Sequence, residues 1–183
     1  IRRANYGNKV YIRGLIEVSN ICKNNCYYCG IRRSNDHVNR YRLAKDEILR
    51  SADFGYGLGF RTFVMQGGED PSFSRDFFVD SIREIKNKYP DTAITLSLGE
   101  RSYEDYKAFY DAGADRYLLR QETSNPDHYA KIHPKEMSLA HRQECLYNLK
   151  EIGYQVGGGF MVDSPYQTTD DLIRDCLLYT SDA

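Results

Sequence analysis

The sequence predicts an α/β protein: a partial (β/α) TIM-type barrel of parallel strands, truncated after about five strands. Three observations point there. Hydrophobic spacing switches several times between strand and helix periods along the 183 residues. Repeated strand-helix units of this length force parallel strands with right-handed crossovers. Polar residues able to do chemistry, at Cys22, Gln66 to Glu69, Ser97 to Glu100, Glu122 and the Gly157 to Asp163 region, each fall at or just beyond the end of a different strand candidate. Chemistry at the carboxyl ends of successive strands is the barrel layout, whereas a doubly wound sheet concentrates it at one switch point.

The elements follow in order. Strand candidates are Ile12 to Val18, Arg61 to Gln66, Ala93 to Ser97, Arg116 to Arg120 and Gln155 to Met161, each short and bounded by glycine or polar residues. Between them, Lys45 to Leu58 carries Ile48, Leu49 and Ala52 at helical spacing, and Arg75 to Tyr89 carries Phe78, Ile82, Ile85 and Tyr89. Ser102-Tyr-Glu-Asp105 reads as a capping box opening a helix that stops at Gly113. A further helix, about Ser138 to Ile152, presents Cys145, Leu146, Leu149 and Ile152 before Gly153 ends it. Thr168-Thr-Asp-Asp171 opens the last, its acids placed favourably against the helix dipole. Tyr179 to Ala183 does not continue the apolar helical pattern, and a closing strand is absent. An open edge of this kind predicts exposed apolar surface on the last strand and the inner face, and a tendency to associate.

Composition excludes several classes. Lys plus Arg total 25 against 26 for Asp plus Glu, a net charge of -1, so no global field draws the chain to nucleic acid or anionic membrane. No stretch approaches the ~20 apolar residues of a membrane span, and the N-terminus, starting at Ile1, lacks the order of a signal peptide. A cytoplasmic protein is the default expectation. The length is one domain's worth, but short for a complete barrel enzyme.

Function centres on Cys22-Lys-Asn-Asn-Cys26-Tyr-Tyr-Cys29, three thiols in one polar loop behind the first strand. In a chain with no sign of secretion this favours a metal or cluster site over a disulfide framework. Three ligands leave a coordination position open, which is how a bound centre meets substrate. A structural zinc would need a fourth ligand, with His37 the nearby candidate. Unrelated thiols in a turn are the bland alternative, and an iron-sulfur cluster with one free iron the third.

The spacing C-x3-C-x2-C with an aromatic, Tyr28, before the third cysteine resembles that of radical S-adenosylmethionine enzymes. Glu17 to Asn20, Cys29 to Arg33, Arg40 to Arg42, Gln66 to Pro71, Leu96 to Glu100, Gly113 to Thr123 and Asn125-Pro126 resemble, within them, the HydE family of [FeFe]-hydrogenase maturases. The likeness spans about residues 4 to 173. It implies a radical S-adenosylmethionine core domain over residues 1 to 183, incomplete at the C-terminus and expected to be so at the N-terminus. It implies two cofactors, a [4Fe-4S] cluster on Cys22, Cys26 and Cys29, and S-adenosyl-L-methionine.

Roles carried over by the resemblance are these. Tyr28 lies along the adenine, with packing under the loop as its plain alternative. Gln66, Gly67, Gly68 and Glu69 receive the methionine amino group; a plain turn would explain the glycines but not the acid. Glu122 contacts the same ligand, and Arg142 pairs its carboxylate unless it is a solvated helix arginine. Met161 belongs to the segment packed on the adenine. There Asp163-Ser-Pro-Tyr-Gln-Thr168 stands where the family has Gly-Leu-Pro-Gly-Gln-Thr, so two glycines are replaced. Thr95 and Ser97, alternate residues of the third strand, face the interior by strand periodicity. The resemblance puts substrate there, and a core-satisfied pair is the alternative.

It implies as partners a small organometallic substrate from a partner maturase, a scaffold maturase protein that takes the product, and an acidic electron donor such as a flavodoxin or ferredoxin. Arg32, Arg33, Arg40 and Arg42 form a basic patch suited to that donor. Biotin-synthase-like or methylornithine-synthase-like chemistry is the related alternative, and a zinc-binding scaffold the non-enzyme one. Cys145 and Cys176 read as core, and His37, His128, His133 and His141 as structural or surface residues.

Overall fold

The computed structural model describes residues 2–181. Five strands, β1 (Gly14–Ser19), β2 (Thr62–Gly67), β3 (Ala93–Ser97), β4 (Arg116–Leu118) and β5 (Gln155–Gly157), form one parallel sheet in the order of the sequence. The order never reverses, so there is no switch point and the sheet has the barrel progression. Helices α1 (Arg2–Tyr6), α2 (Lys45–Gly57), α3 (Arg75–Lys88), α4 (Tyr103–Asp111), α5 (Pro126–Ile132), α6 (Leu139–Ile152) and α7 (Thr169–Ser181) accompany it.

Register sorts the strand side chains into layers. Ile16, Met65, Leu96, Tyr117 and Val156 share one row. With Ile48, Phe78, Ile82, Phe109, Cys145 and Leu149 from the helices, this row makes the core. Phe78, fully buried with its ring 5.7 Å from that of Phe109, contributes about 2–3 kcal/mol by burial. On alternate residues, Leu15, Val64, Thr95, Arg116 and Gln155 form one inward layer, and Glu17, Gln66 and Ser97 the next towards the carboxyl ends.

The sequence differs from this in instructive places. The fourth and fifth strands stop at Leu118 and Gly157; beyond them the chains meet again through the Gln121 side chain on the Gly159 N–H and at the Glu122 to Phe160 bridge. Ser102 does cap α4, accepting from the Asp105 N–H, but the Asp105 carboxylate leaves the capping box to pair with Arg75 at 2.5 Å. The last helix runs through Tyr179 to Ser181; Asp182 and Ala183 lie outside the described residues. Cys145 is core, but Cys176 is exposed. α7 packs through Asp171 and Asp175, which reach Asn125 and the Ser124 N–H, so its Ile173, Cys176 and Leu177 stripe faces out. Apolar exposure on the sheet falls at Leu15 of β1, 56 % exposed, rather than on β5, whose Val156 is half-buried.

Candidate active site

The thiol loop leaves β1 through a three-way junction. The buried Asp70 carboxylate accepts Arg42 Nε at 2.7 Å, Arg42 Nη2 at 2.8 Å, the Ser19 hydroxyl at 2.8 Å and the Ser72 N–H at 3.0 Å. Burial raises its pKa, but the bonds from Arg42, Ser72 and Ser19 outweigh this and leave the carboxyl below its ordinary value. Arg40 closes the other side. Its guanidinium donates to the carbonyls of Asn20, Ile31, Arg32 and Asn35 at 2.5–2.9 Å, clasping both flanks of the cysteines. The expected four-arginine docking patch is reduced: Arg40 and Arg42 are spent on the loop and Arg32 donates to the Tyr27 carbonyl, which leaves Arg33 exposed beside the cysteines.

The β2 turn packs directly beneath. A Cβ on Gly68 would lie 2.3 Å from the Ile21 carbonyl oxygen and 2.8 Å from Cys22 Cβ, so only glycine lets this backbone approach the first cysteine. The Lys23 N–H donates to the Glu69 carbonyl at 3.0 Å, locking the two loops together. Glu69 is buried. Its Oε1 accepts the Glu100 N–H at 2.9 Å, while Oε2 has no hydrogen bond of good geometry, although the Lys23 ammonium stands 3.2 Å away. The turn thus already faces a cation. Gln66 donates to Glu17, its register partner on β1, at 3.4 Å, and Gly67 fits against Ser19 and Val18.

Arg142 is not a solvated helix arginine. Its side chain is 11 % exposed, with Nε on Glu100 at 2.6 Å and a second donor on the Arg120 carbonyl at 3.1 Å; Glu69 lies 4.0 Å away. Burial opposes its charge, but Glu100, Tyr129 and Glu69 hold the guanidinium cationic. Glu122 is buried in a left-handed backbone conformation, φ 66°, a strained state for a non-glycine residue. Burial raises its carboxyl pKa against the pull of Arg120 and Arg142, and Oε2 lacks a hydrogen bond although Arg120 is 3.2 Å away. Thr95 Oγ1 is likewise buried without a partner, which contradicts a core-satisfied pair at that residue; Ser97, in the next layer, is half-buried. Met161 is tied by its N–H to the Glu122 carbonyl and by its carbonyl to Gln167. Asp163 and Tyr166 both have positive φ, 62° and 66°, a left-handed backbone that glycine takes freely and these residues take at a cost.

Tyr28 turns its hydroxyl to His133 Nε2, 3.1 Å away, and meets that ring edge to face. His133 is buried, with Nδ1 near the Tyr129 carbonyl, and burial lowers its pKa to about 4, so it is neutral. Burial pushes the Cys26 thiol up to about 11, with Tyr28 and Arg142 lowering it and Cys22 and Cys29 raising it. Sequence reading placed Glu100 in the Ser97 to Glu100 group at a strand end and read His133 as structural or surface, but gave no role to Arg120 or Tyr129, of which only Arg120, at the end of a strand candidate, carried a signal.

Among the described residues no group of three His, Cys, Asp or Glu side chains is arranged to hold a single metal ion, and the His37 side chain is almost fully exposed beside Asp36. That removes the support for a structural zinc, which needs four ligands about one point. A cluster presents separate irons to separate thiolates. The three half-buried thiols on one loop, the glycine cradle and the buried Glu69 and Glu122 carboxylates, each already facing a cation at 3.2 Å, fit a cluster with a cationic amino-acid-like ligand beside it.

Residues 16–178 match the radical SAM superfamily model, and the chain belongs to that superfamily of enzymes. Its cofactors are accordingly a [4Fe-4S] cluster and S-adenosyl-L-methionine. Within the superfamily it is 48 % identical over 97 % of its length to the [FeFe] hydrogenase maturase subunit HydE of Thermotoga maritima, covering 50 % of that protein. Its fold superposes on methylornithine synthase with a TM-score of 0.90 at 26 % identity, covering 99 % of this chain and 53 % of the other. The hydrogenase maturase HydG follows with a TM-score of 0.76 at 29 % identity, covering 87 % and 37 %. The chain spans about half the length of the curated relatives it matches.

Proposed function

We propose that this chain carries the cofactor half of a HydE-like maturase, acting in the cytoplasm to help assemble the diiron subcluster of [FeFe]-hydrogenase. The observation that carries the reading is the joining of the Cys22 to Cys29 loop to the Gly68-Glu69 turn, with Arg142 within 4.0 Å of the same Glu69. One anionic and one cationic group side by side beneath a thiol loop match the ammonium and carboxylate of an amino acid. The 48 % identity to HydE favours this maturase over the biotin-synthase-like and methylornithine-synthase-like alternatives.

When bound, the cluster and S-adenosyl-L-methionine supply a one-electron reductive cleavage that yields a 5'-deoxyadenosyl radical. The chain's own residues prepare it. Cys22, Cys26 and Cys29 hold the cluster. Gln66, the Gly67 and Gly68 backbone and the Glu69 carboxylate take the amino group; Arg142, oriented by Glu100, takes the carboxylate. Glu122 contacts the same ligand, Met161 and Tyr28 bound the adenine, and Thr95 with Ser97 faces the substrate in the barrel. Holding the ligand rigidly in a dry pocket supplies orientation and keeps a reactive radical from water. The substrate in this reading is a small organometallic species from a partner maturase, the product goes to a scaffold maturase, and the electron comes from an acidic flavodoxin or ferredoxin.

Anaerobic reconstitution of the full-length protein with iron and sulfide, followed by reduction with S-adenosyl-L-methionine, tests this. 5'-Deoxyadenosine should form, and the protein should restore hydrogenase activity to an extract lacking its maturase. Cleavage without restoration would overturn the maturase assignment, and zinc in place of iron would overturn the radical reading.

A further inference from the structure

Tyr129 is placed as a ligand contact would be. It lies on α5, held from below by its ring stacked on His133, centroids 3.7 Å apart at 16°. His133 is in turn pinned by Tyr28 of the thiol loop. The residue is 3 % exposed, and its hydroxyl makes no hydrogen bond of good geometry: Arg142 is near enough to donate to its oxygen, but the O–H itself has no acceptor. Buried hydroxyls without partners are rare, because water lost on folding is normally replaced. The groups that act on this hydroxyl are Arg142, Glu100 and Cys26, so it stands between the thiol loop and the buried guanidinium. Burial raises its pKa to about 12, which keeps it a donor. Arg142 is also donor only, and Glu100 is already engaged by its Nε. Two donors thus stand side by side, and an anionic acceptor would satisfy both.

We propose that the Tyr129 hydroxyl donates a hydrogen bond to the carboxylate of bound S-adenosyl-L-methionine, sharing that anion with Arg142. The inference rests on the reading above and adds to it a residue from a helix that no cysteine motif marks. It separates from a packing role by sign. Tyr129→Phe keeps the ring stack and deletes only the stranded oxygen, so a structural residue would become neutral or more stable without affecting the ligand.

The test compares wild type and Tyr129→Phe as full-length holoenzyme, reading iron and sulfide content, thermal midpoint before reconstitution, and S-adenosyl-L-methionine affinity from the change it makes in the spin spectrum of the reduced cluster. The expected result is unchanged iron content, a midpoint equal or higher, and affinity weakened about ten- to a hundredfold, the scale of one hydrogen bond to a charged group. Affinity within twofold of wild type at equal iron content overturns the proposal, and so does loss of iron, which would assign the hydroxyl to the thiol loop. A wild type that assembles its cluster without any response to the ligand instead sinks the parent reading, and the proposal with it.

Discussion

Replacing Asp70 by Asn tests the junction that launches the thiol loop. The carboxylate side chain is fully buried and accepts four bonds, two of them from Arg42, whose own side chain is 36 % exposed. An asparagine keeps the shape and can still accept from Ser72, but its amide nitrogen faces Arg42 as a second donor. Breaking a buried ion pair costs about 3–5 kcal/mol; water reaching the half-exposed Arg42 returns part of that, leaving about 2–4 kcal/mol. In a chain of 183 residues each kcal/mol moves the midpoint by about 2–4 °C, so the melting temperature should fall by about 5–15 °C. The effect depends on pH with a definite sign. The folded carboxyl titrates below its ordinary 3.8, so the pair stabilises fully above about pH 4 and is lost as pH falls through the lowered folded value. Melts followed by circular dichroism from pH 7 to 3 should show the gap between variant and wild type closing at the acid end. Arg42→Met with Asp70→Leu, which removes both charges, should recover much of the loss. A midpoint within 2 °C of wild type, or a gap indifferent to pH, would refute the reasoning.

Three other outcomes follow from the site. Gly68→Ala drives a methyl to 2.3 Å from the Ile21 carbonyl, and the backbone shift should cost about 1–3 kcal/mol and lower the iron retained after reconstitution; iron analysis at wild-type level would contradict the cradle. Arg40→Lys cannot reach four carbonyls with one ammonium, so the cluster should be lost to a chelator several-fold faster, with Arg40→Ala faster still. Arg142→Lys keeps the charge but loses the fork to Glu100 and the Arg120 carbonyl. S-adenosyl-L-methionine affinity measured by spectral titration should weaken about tenfold, and an unchanged value would remove Arg142 from the ligand site.

Sequence alone determined the thiol spacing, the alternation of strands and helices, and the gathering of polar residues at strand ends, because these are properties of a few neighbouring residues. The Gln66 to Glu69 turn that ends the second strand does lie against the thiol loop, Gly68 on Ile21 and Cys22 and the Glu69 carbonyl on the Lys23 N–H. α5 was missed because seven residues are too short for periodicity to show, although Asn125 at its cap followed by Pro126 was a readable start signal. Tertiary structure decided the rest. Tyr28 meets a histidine 105 residues away, Arg142 is claimed by a glutamate 42 residues back, and Arg40 and Arg42 are drawn inward from what reads locally as a basic surface. α7 likewise turns its acids in and its apolar stripe out, because Ser124 and Asn125 offer partners that no local pattern announces. The physical reason is common to all of these. A charged or hydroxyl side chain takes its role from whichever partner the fold brings to hydrogen-bond distance, and that partner is fixed by strand order and helix placement rather than by the side chain's neighbours in the chain.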